Sequence, residues 1–128
     1  MISHALVKQP FPIYGQGENV REWLFVEDHA RAVWLILQKG EKGESYNIGG
    51  GSQWRNIDLL KLLLEKVAEM QGENPQSYQQ LITFVEDRPG HDFRYALSCQ
   101  KLEKEIGFIP KYPFEEGIKK TVEWYVSK

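Results

Sequence analysis

Ile57, Leu60, Leu63, Leu64 and Val67 recur at intervals of three and four residues. That spacing draws one apolar stripe along a helix running from about Asn56 to Met70, and such a stripe has to be buried against other elements. Asn56 stands where a cap for this helix is expected. The fold is therefore set by what the rest of the chain offers as packing partners.

Those partners read as short strands alternating with helices. Phe11–Tyr14 is a short extended piece inside a loop punctuated by Pro10, Gly15 and Gly17. Val20–Val26 reads as a strand. Asp28 sits where an N-cap would stand for a helix from about His29 to Gln38, on whose apolar face lie Ala30, Val33, Trp34 and Leu37. Ser45–Ile48 is a further short strand, leading into Gly49-Gly50-Gly51. Gln71–Gln80 is polar and is expected to be a surface connection. Leu81–Val85 is a strand, and Arg94–Leu97 extends briefly. Ser98 is the expected cap of a helix over Gln100–Ile106, and a last helix covers Phe114–Tyr125. Trp23, Trp34 and Trp124 are expected in the core, with Trp54 the least settled of the four tryptophans. The alternation argues for an α/β fold with a small sheet, open at its edges, and packed helices. A chain of 128 residues is read as one domain, residues 1–128. The opening Met1–Val7 resembles the end of an amphipathic helix, so the domain is expected to belong to a longer polypeptide.

After the strand at Leu81–Val85 comes Asp87-Arg88-Pro89-Gly90-His91. Pro89 fixes its own φ and Gly90 tolerates φ > 0, so a tight bend fans out a permanent cation and an imidazole. This chemistry suits an anion held at a strand end, phosphate first among the candidates. A solvated charged turn is the plain alternative. Arg21, opening the strand that follows a glycine-rich turn, is placed to reach the same kind of ligand, and Asn56 is either a helix cap or a ligand contact. A net charge of −2 gives no general reason to expect nucleic acid or an anionic membrane as a partner. No apolar run approaches the roughly 18 residues of a bilayer span. The single cysteine, Cys99, cannot form an intrachain disulfide, which fits a cytoplasmic location.

Several catalytic patterns fail. Gly15-Gln16-Gly17 lacks the third glycine of a dinucleotide loop, having Val20 there, and Gly49-Gly50-Gly51 has Trp54 at that place. Glycines in the second run read as a turn or a close backbone approach. No Tyr is followed four residues later by Lys. His4, His29 and His91 are scattered without metal-ligand spacing, and no Gly-x-Ser-x-Gly elbow occurs. No catalytic, cofactor-binding or metal-binding residue is assigned.

Phe11-Pro12-Ile13-Tyr14-Gly15, Val20-Arg21-Glu22-Trp23-Leu24-Phe25-Val26-Glu27-Asp28-His29-Ala30, Tyr46-Asn47-Ile48-Gly49-Gly50, Asp87–His91 and Lys120-Thr121-Val122-Glu123-Trp124-Tyr125 occur in that order. Together they resemble the C-terminal part of the dTDP-glucose 4,6-dehydratase family, extended short-chain dehydrogenases/reductases. The resemblance covers nearly the whole chain. Arg-x-Trp-x-x-Val-x-Asp alone indicates a nucleotide-sugar enzyme of the superfamily; the added Asp-Arg-Pro-Gly-His is more specific.

The resemblance implies an N-terminal Rossmann domain holding NAD and a smaller C-terminal part holding the nucleotide sugar. It implies oxidation at C4 of the glucose, loss of water across C5 and C6, and return of the hydride to C6. It also implies substrate contacts at Pro12, Ile13, Tyr14, Arg21, Asn56, Asp87, Arg88, Pro89, Gly90 and His91, with a dTDP-sugar or dTDP as partner. The cofactor loop and catalytic groups belong to the portion absent from this chain, so NAD is not expected on it and turnover by it alone is not expected. Surface left without that portion is expected to drive self-association. Two rival readings stay open: a non-catalytic binding or interaction module, and part of a UDP-sugar epimerase or decarboxylase.

Overall fold

The leucine-rich helix is the centre of the molecule. In the computed structural model, which describes residues 1–128, the elements run α1 (Ile2–Leu6), β1 (Phe11–Tyr14), β2 (Val20–Trp23), α2 (Val26–Lys39), β3 (Ser52–Arg55), α3 (Asn56–Gln71), α4 (Pro75–Gln79), β4 (Ile82–Val85), α5 (Gln100–Ile106) and α6 (Phe114–Val126). From α3, Leu59, Leu60, Leu63, Leu64, Val67 and Ala68 are buried. They pack with Ile2 and Ala5 of α1, Phe11 and Ile13 of β1, Tyr78 of α4 and Val122 of α6. A second, smaller cluster joins Ala32 of α2 to Leu102 and Ile106 of α5 and to Phe108.

The strands form two separate pairs, not one small sheet. β1 lies parallel to β4, with Phe11 opposite Ile82 and Tyr14 opposite Val85. The Phe11 N–H donates to the Leu81 carbonyl (2.8 Å) and the Gly15 N–H to the Val85 carbonyl (2.9 Å). Pro12, which has no N–H, therefore sits where β1 has no bond to give. β2 lies antiparallel to β3, from Val20 opposite Arg55 to Trp23 opposite Ser52.

The expected side-chain cap of α3 is absent. Asn56 is the first helical residue, Arg55 occupies the capping position, and no side chain accepts there. Backbone carbonyls of the β1–β2 turn do the work: the Asn56 N–H donates to Asn19 and the Ile57 N–H to Gly17, both at 3.0 Å. A side-chain cap contributes about 1 kcal/mol, whereas a fully buried leucine such as Leu60 contributes about 1.5–3 kcal/mol. Packing therefore places α3, and the turn carbonyls then satisfy its free donors. Gly17 makes this approach feasible: its φ is +71°, and a Cβ there would lie 2.8 Å from Ile13 Cγ2 and 2.9 Å from Ile57 Cβ.

Several expectations are corrected. The strand expected over Val20–Val26 ends at Trp23, and Val26 already opens α2. Ser45–Ile48 pairs with nothing: Tyr46 and Ile48 pack inward on the second cluster while Ser45 and Asn47 face out, but no ladder forms. The partner of β2 is the polar stretch Ser52–Arg55 instead. Cys99, not Ser98, precedes α5, without a side-chain cap bond. The polar connection contains α4, capped by Asn74, whose side-chain oxygen accepts from the Gln76 N–H (3.0 Å), and it buries Tyr78. The tryptophans invert the expectation. Trp34 and Trp124 are more than half exposed and Trp23 is also exposed, whereas Trp54 stacks on Phe114 at 4.7 Å between ring centres. No helix is long and apolar enough to cross a membrane.

Asp28 does not cap its own helix. It lies within the first turn of α2, and its fully buried carboxylate accepts from the backbone N–H groups of Lys111 and Tyr112 (2.9 Å) and from the Arg31 guanidinium (2.8 Å). It thereby clamps the segment before α6 onto α2. Burial pushes its pKa up, but the Tyr112 N–H, the Arg31 guanidinium and the Lys111 N–H outweigh it and hold the carboxyl below its ordinary value. A depressed carboxyl contributes stability above the unfolded pKa of about 3.9 that is lost as pH falls through the folded value. Asp28→Ala should cost about 2–4 kcal/mol in urea unfolding at neutral pH. The gap to wild type should narrow as pH drops below about 4; a gap independent of pH would contradict the clamp.

Candidate anion-binding site

β1 and β4 run parallel and end side by side at Tyr14 and Val85. The turn after β4 therefore rises next to the end of β1. Val20 joins the other side of this turn to β2: its N–H donates to the Phe93 carbonyl (2.7 Å) and its carbonyl accepts from the Tyr95 N–H (3.0 Å). These backbone bonds bring Arg21 beside Arg88–His91, residues far apart in sequence. Arg21, Arg88, Pro89, Gly90, His91, Asp92 and Tyr95 line a cleft of about 330 Å³.

The Arg21 guanidinium is held on several sides. Nη2 donates to the Asp92 carbonyl (2.9 Å) and meets His91 Nε2 at 3.0 Å, while Nη1 donates to the Val20 carbonyl (2.7 Å). The Tyr95 ring stacks on it at 4.7 Å. The Tyr95 hydroxyl donates to the Asp92 carboxylate, which pushes the phenol pKa up. Arg88 lies over the Tyr14 ring at 4.9 Å. Neither arginine is paired with a carboxylate. Asp87 is committed elsewhere: its Oδ1 lies 2.6 Å from His91 Nδ1 and accepts from the Arg88 N–H at 2.8 Å. The bond from His91 is the main reason that the Asp87 carboxyl lies below its ordinary pKa. Two guanidinium groups therefore open onto one cleft with N–H donors to spare, an arrangement suited to a multiply charged oxyanion.

The residues singled out in sequence do not all reach this cleft. Arg21, Arg88, Pro89, Gly90 and His91 line it, Asp87 supports His91, and Tyr14 lies under Arg88. Pro12 is exposed on the same face of β1 as Tyr14, but the Ile13 side chain points into the core. Asn56 is half-buried behind Asn19, linked to the cleft only by the Asn19 side chain, which donates to the Asp92 carbonyl (3.3 Å). Asp92 and Tyr95 also line the cleft, and no local motif marks them. The signal was present in the brief extension expected at Arg94–Leu97, but its neighbour, Val20, is a long-range partner.

The family model described as GDP-mannose 4,6 dehydratase matches residues 1–121. The chain belongs to the GDP-mannose 4,6 dehydratase family. Among curated members, it is 51% identical to a probable dTDP-glucose 4,6-dehydratase of Sinorhizobium fredii, with 99% of this chain aligned to 36% of the relative. It is 48% identical to the dTDP-glucose 4,6-dehydratase of Haemophilus influenzae, over 98% of this chain and 38% of the relative. The chain thus spans little more than a third of the length of these members. Among solved structures, DesIV, the dTDP-glucose 4,6-dehydratase of Streptomyces venezuelae with NAD and TYD bound, aligns with 38% identity and a TM-score of 0.87, over 99% of this chain and 37% of DesIV. A UDP-glucose 4-epimerase of Thermotoga maritima with UDP-glucose aligns with 32% identity and a TM-score of 0.82, over 98% of this chain and 38% of that one. The expected α/β fold with a small sheet and packed helices agrees with these family structures.

Family members carry NAD, but the residues here do not fit a dinucleotide. The Gly49–Gly51 run faces the Glu22 carboxylate, which accepts the Gly51 N–H (2.8 Å) and the Leu97 N–H (2.9 Å). A Cβ on Gly50 would lie 2.5 Å from the Trp23 carbonyl oxygen. These glycines serve close backbone approach, and the charge beside them is negative where a pyrophosphate needs donors. Gly15 and Gly17 lead into β2, not into a helix N-terminus.

Proposed function

We propose that this chain is the nucleotide-sugar-binding C-terminal portion of a dTDP-glucose 4,6-dehydratase. The whole enzyme converts dTDP-glucose to dTDP-4-keto-6-deoxy-glucose and water, in deoxysugar synthesis, with NAD held outside this chain. The single observation that carries the reading is the convergence of Arg21 and Arg88 on one cleft with no carboxylate bound to either. A nucleoside diphosphate carries about two negative charges and many acceptor oxygens, and each charge-assisted bond contributes about 1.5–3 kcal/mol. The exposed Pro12 and Tyr14 surface supplies an apolar seat for the base. The free thiol of Cys99 suits a cytoplasmic enzyme.

Calorimetric titration with dTDP tests the site. Arg21→Ala and Arg88→Ala should each weaken binding about 10- to 100-fold while leaving the circular dichroism spectrum unchanged. Equal affinity in all three proteins would refute the site. UDP competing as well as dTDP would favour the epimerase or decarboxylase reading, and binding of neither would favour an interaction module.

Catalysis needs a hydride acceptor and proton-transfer groups against the sugar, and this cleft offers neither. Incubation with dTDP-glucose and NAD should therefore yield no 4-keto product from this chain alone; turnover would overthrow the assignment of catalysis to other parts of the enzyme.

We propose further that the isolated chain self-associates. The exposed Val26, Val33, Trp34 and Leu37 of α2 and the backbone of residues 46–48, which joins no strand ladder, support this. Sedimentation should reveal concentration-dependent assembly, whereas a strict monomer at high concentration would contradict it.

A further inference from the structure

We infer that His91 is a positioning residue: it holds Arg21 through a neutral imidazole whose proton sits on Nδ1, and it does not bind the ligand itself. The inference rests on the reading of the cleft as a diphosphate site. A guanidinium has five N–H donors and no acceptor. His91 Nε2, 3.0 Å from Arg21 Nη2, can only be accepting. An imidazole that accepts at Nε2 and is neutral carries its proton on Nδ1. Nδ1 faces Asp87 Oδ1 at 2.6 Å, which is the acceptor that this proton requires. Both ring nitrogens are thus occupied, and the His91 side chain is only 7% exposed. No polar atom of His91 is left for a phosphate oxygen.

The chain of bonds runs from the Arg88 N–H to Asp87, from Asp87 to His91, and from His91 to Arg21. It ties the Arg21 guanidinium to the turn that carries Arg88. The Asp92 and Val20 carbonyls and the Tyr95 ring complete the socket. Three of the five Arg21 N–H groups are committed to the protein, so two remain for ligand oxygens. A guanidinium held this way loses little freedom when the diphosphate arrives, which is the benefit of preorganisation. The sequence motif placed His91 among the ligand contacts; the geometry instead gives it the task of aiming another residue.

A double-mutant cycle with dTDP separates the two roles. His91→Phe, which keeps a ring and removes both nitrogens, should weaken dTDP binding about three- to tenfold, and His91→Gln, which keeps an acceptor, should recover part of the loss. In an Arg21→Ala background, His91→Phe should have no further effect. Multiplying losses would mean that His91 touches the ligand and would overturn the inference. If Arg21→Ala alone leaves binding unchanged, the diphosphate reading fails and this role falls with it. Nitrogen-15 spectra of the wild-type imidazole provide a check independent of ligand and of variant folding. A protonated Nδ1 with a bare Nε2 is expected, and a proton on Nε2 would overturn the socket.

Discussion

The burial of α3 fixes both walls of the cleft. Its inner face packs on Phe11 and Ile13, which sets β1 and, through the parallel ladder, β4 and the turn after it. Its N-terminal N–H groups hang on the carbonyls of Gly17 and Asn19, which sets the turn that delivers Arg21. Neither arginine lies on α3, yet the distance between them depends on it. A loss of packing in this helix would therefore be felt as a loss of geometry at the cleft before any ligand-contacting residue was touched.

The electrostatic layout divides the glycine-rich parts of the chain by role. Around Gly90 the backbone bends so that Arg88 and Arg21 face a common opening, and the nearby carboxylates are already engaged, Asp87 by His91 and Asp92 by Tyr95. Around Gly49–Gly51 the glycines admit a carboxylate and a strand backbone at close range. The first arrangement suits a bound polyanion and the second excludes one. The cations therefore gather at the Gly90 bend and not at the Gly49–Gly51 run.

Much of this was legible in the sequence because it depends on local spacing. The apolar stripe of α3 follows from periodicity, the strand expected over Leu81–Val85 from an apolar run, and the bend at Pro89-Gly90 from backbone restriction; β4 forms over Ile82–Val85. The failures share a different cause. Position alone marks Asp28 as a local cap, but its partners are Lys111 and Tyr112, more than eighty residues on. Ser45–Ile48 has the alternation of a strand but no neighbour to pair with, while polar Ser52–Arg55 pairs because β2 lies beside it. Trp54 looked like a loop residue until Phe114 supplied its stacking partner. At the cleft, the motif located the cations, but the division of labour between Arg21 and His91 depends on a contact spanning 70 residues.

The proposed function requires the diphosphate to sit in the one cleft framed by Arg21 and the Asp87–His91 turn. Chemical-shift mapping of this chain during titration with dTDP tests it most directly. Saturable shifts are expected at the Arg21 and Arg88 side chains and along the backbone from Asp87 to Tyr95, with the Gly49–Gly51 run unmoved. Shifts confined to that glycine run, or to the apolar groove lined by Phe25, Tyr112 and Trp124, would contradict it.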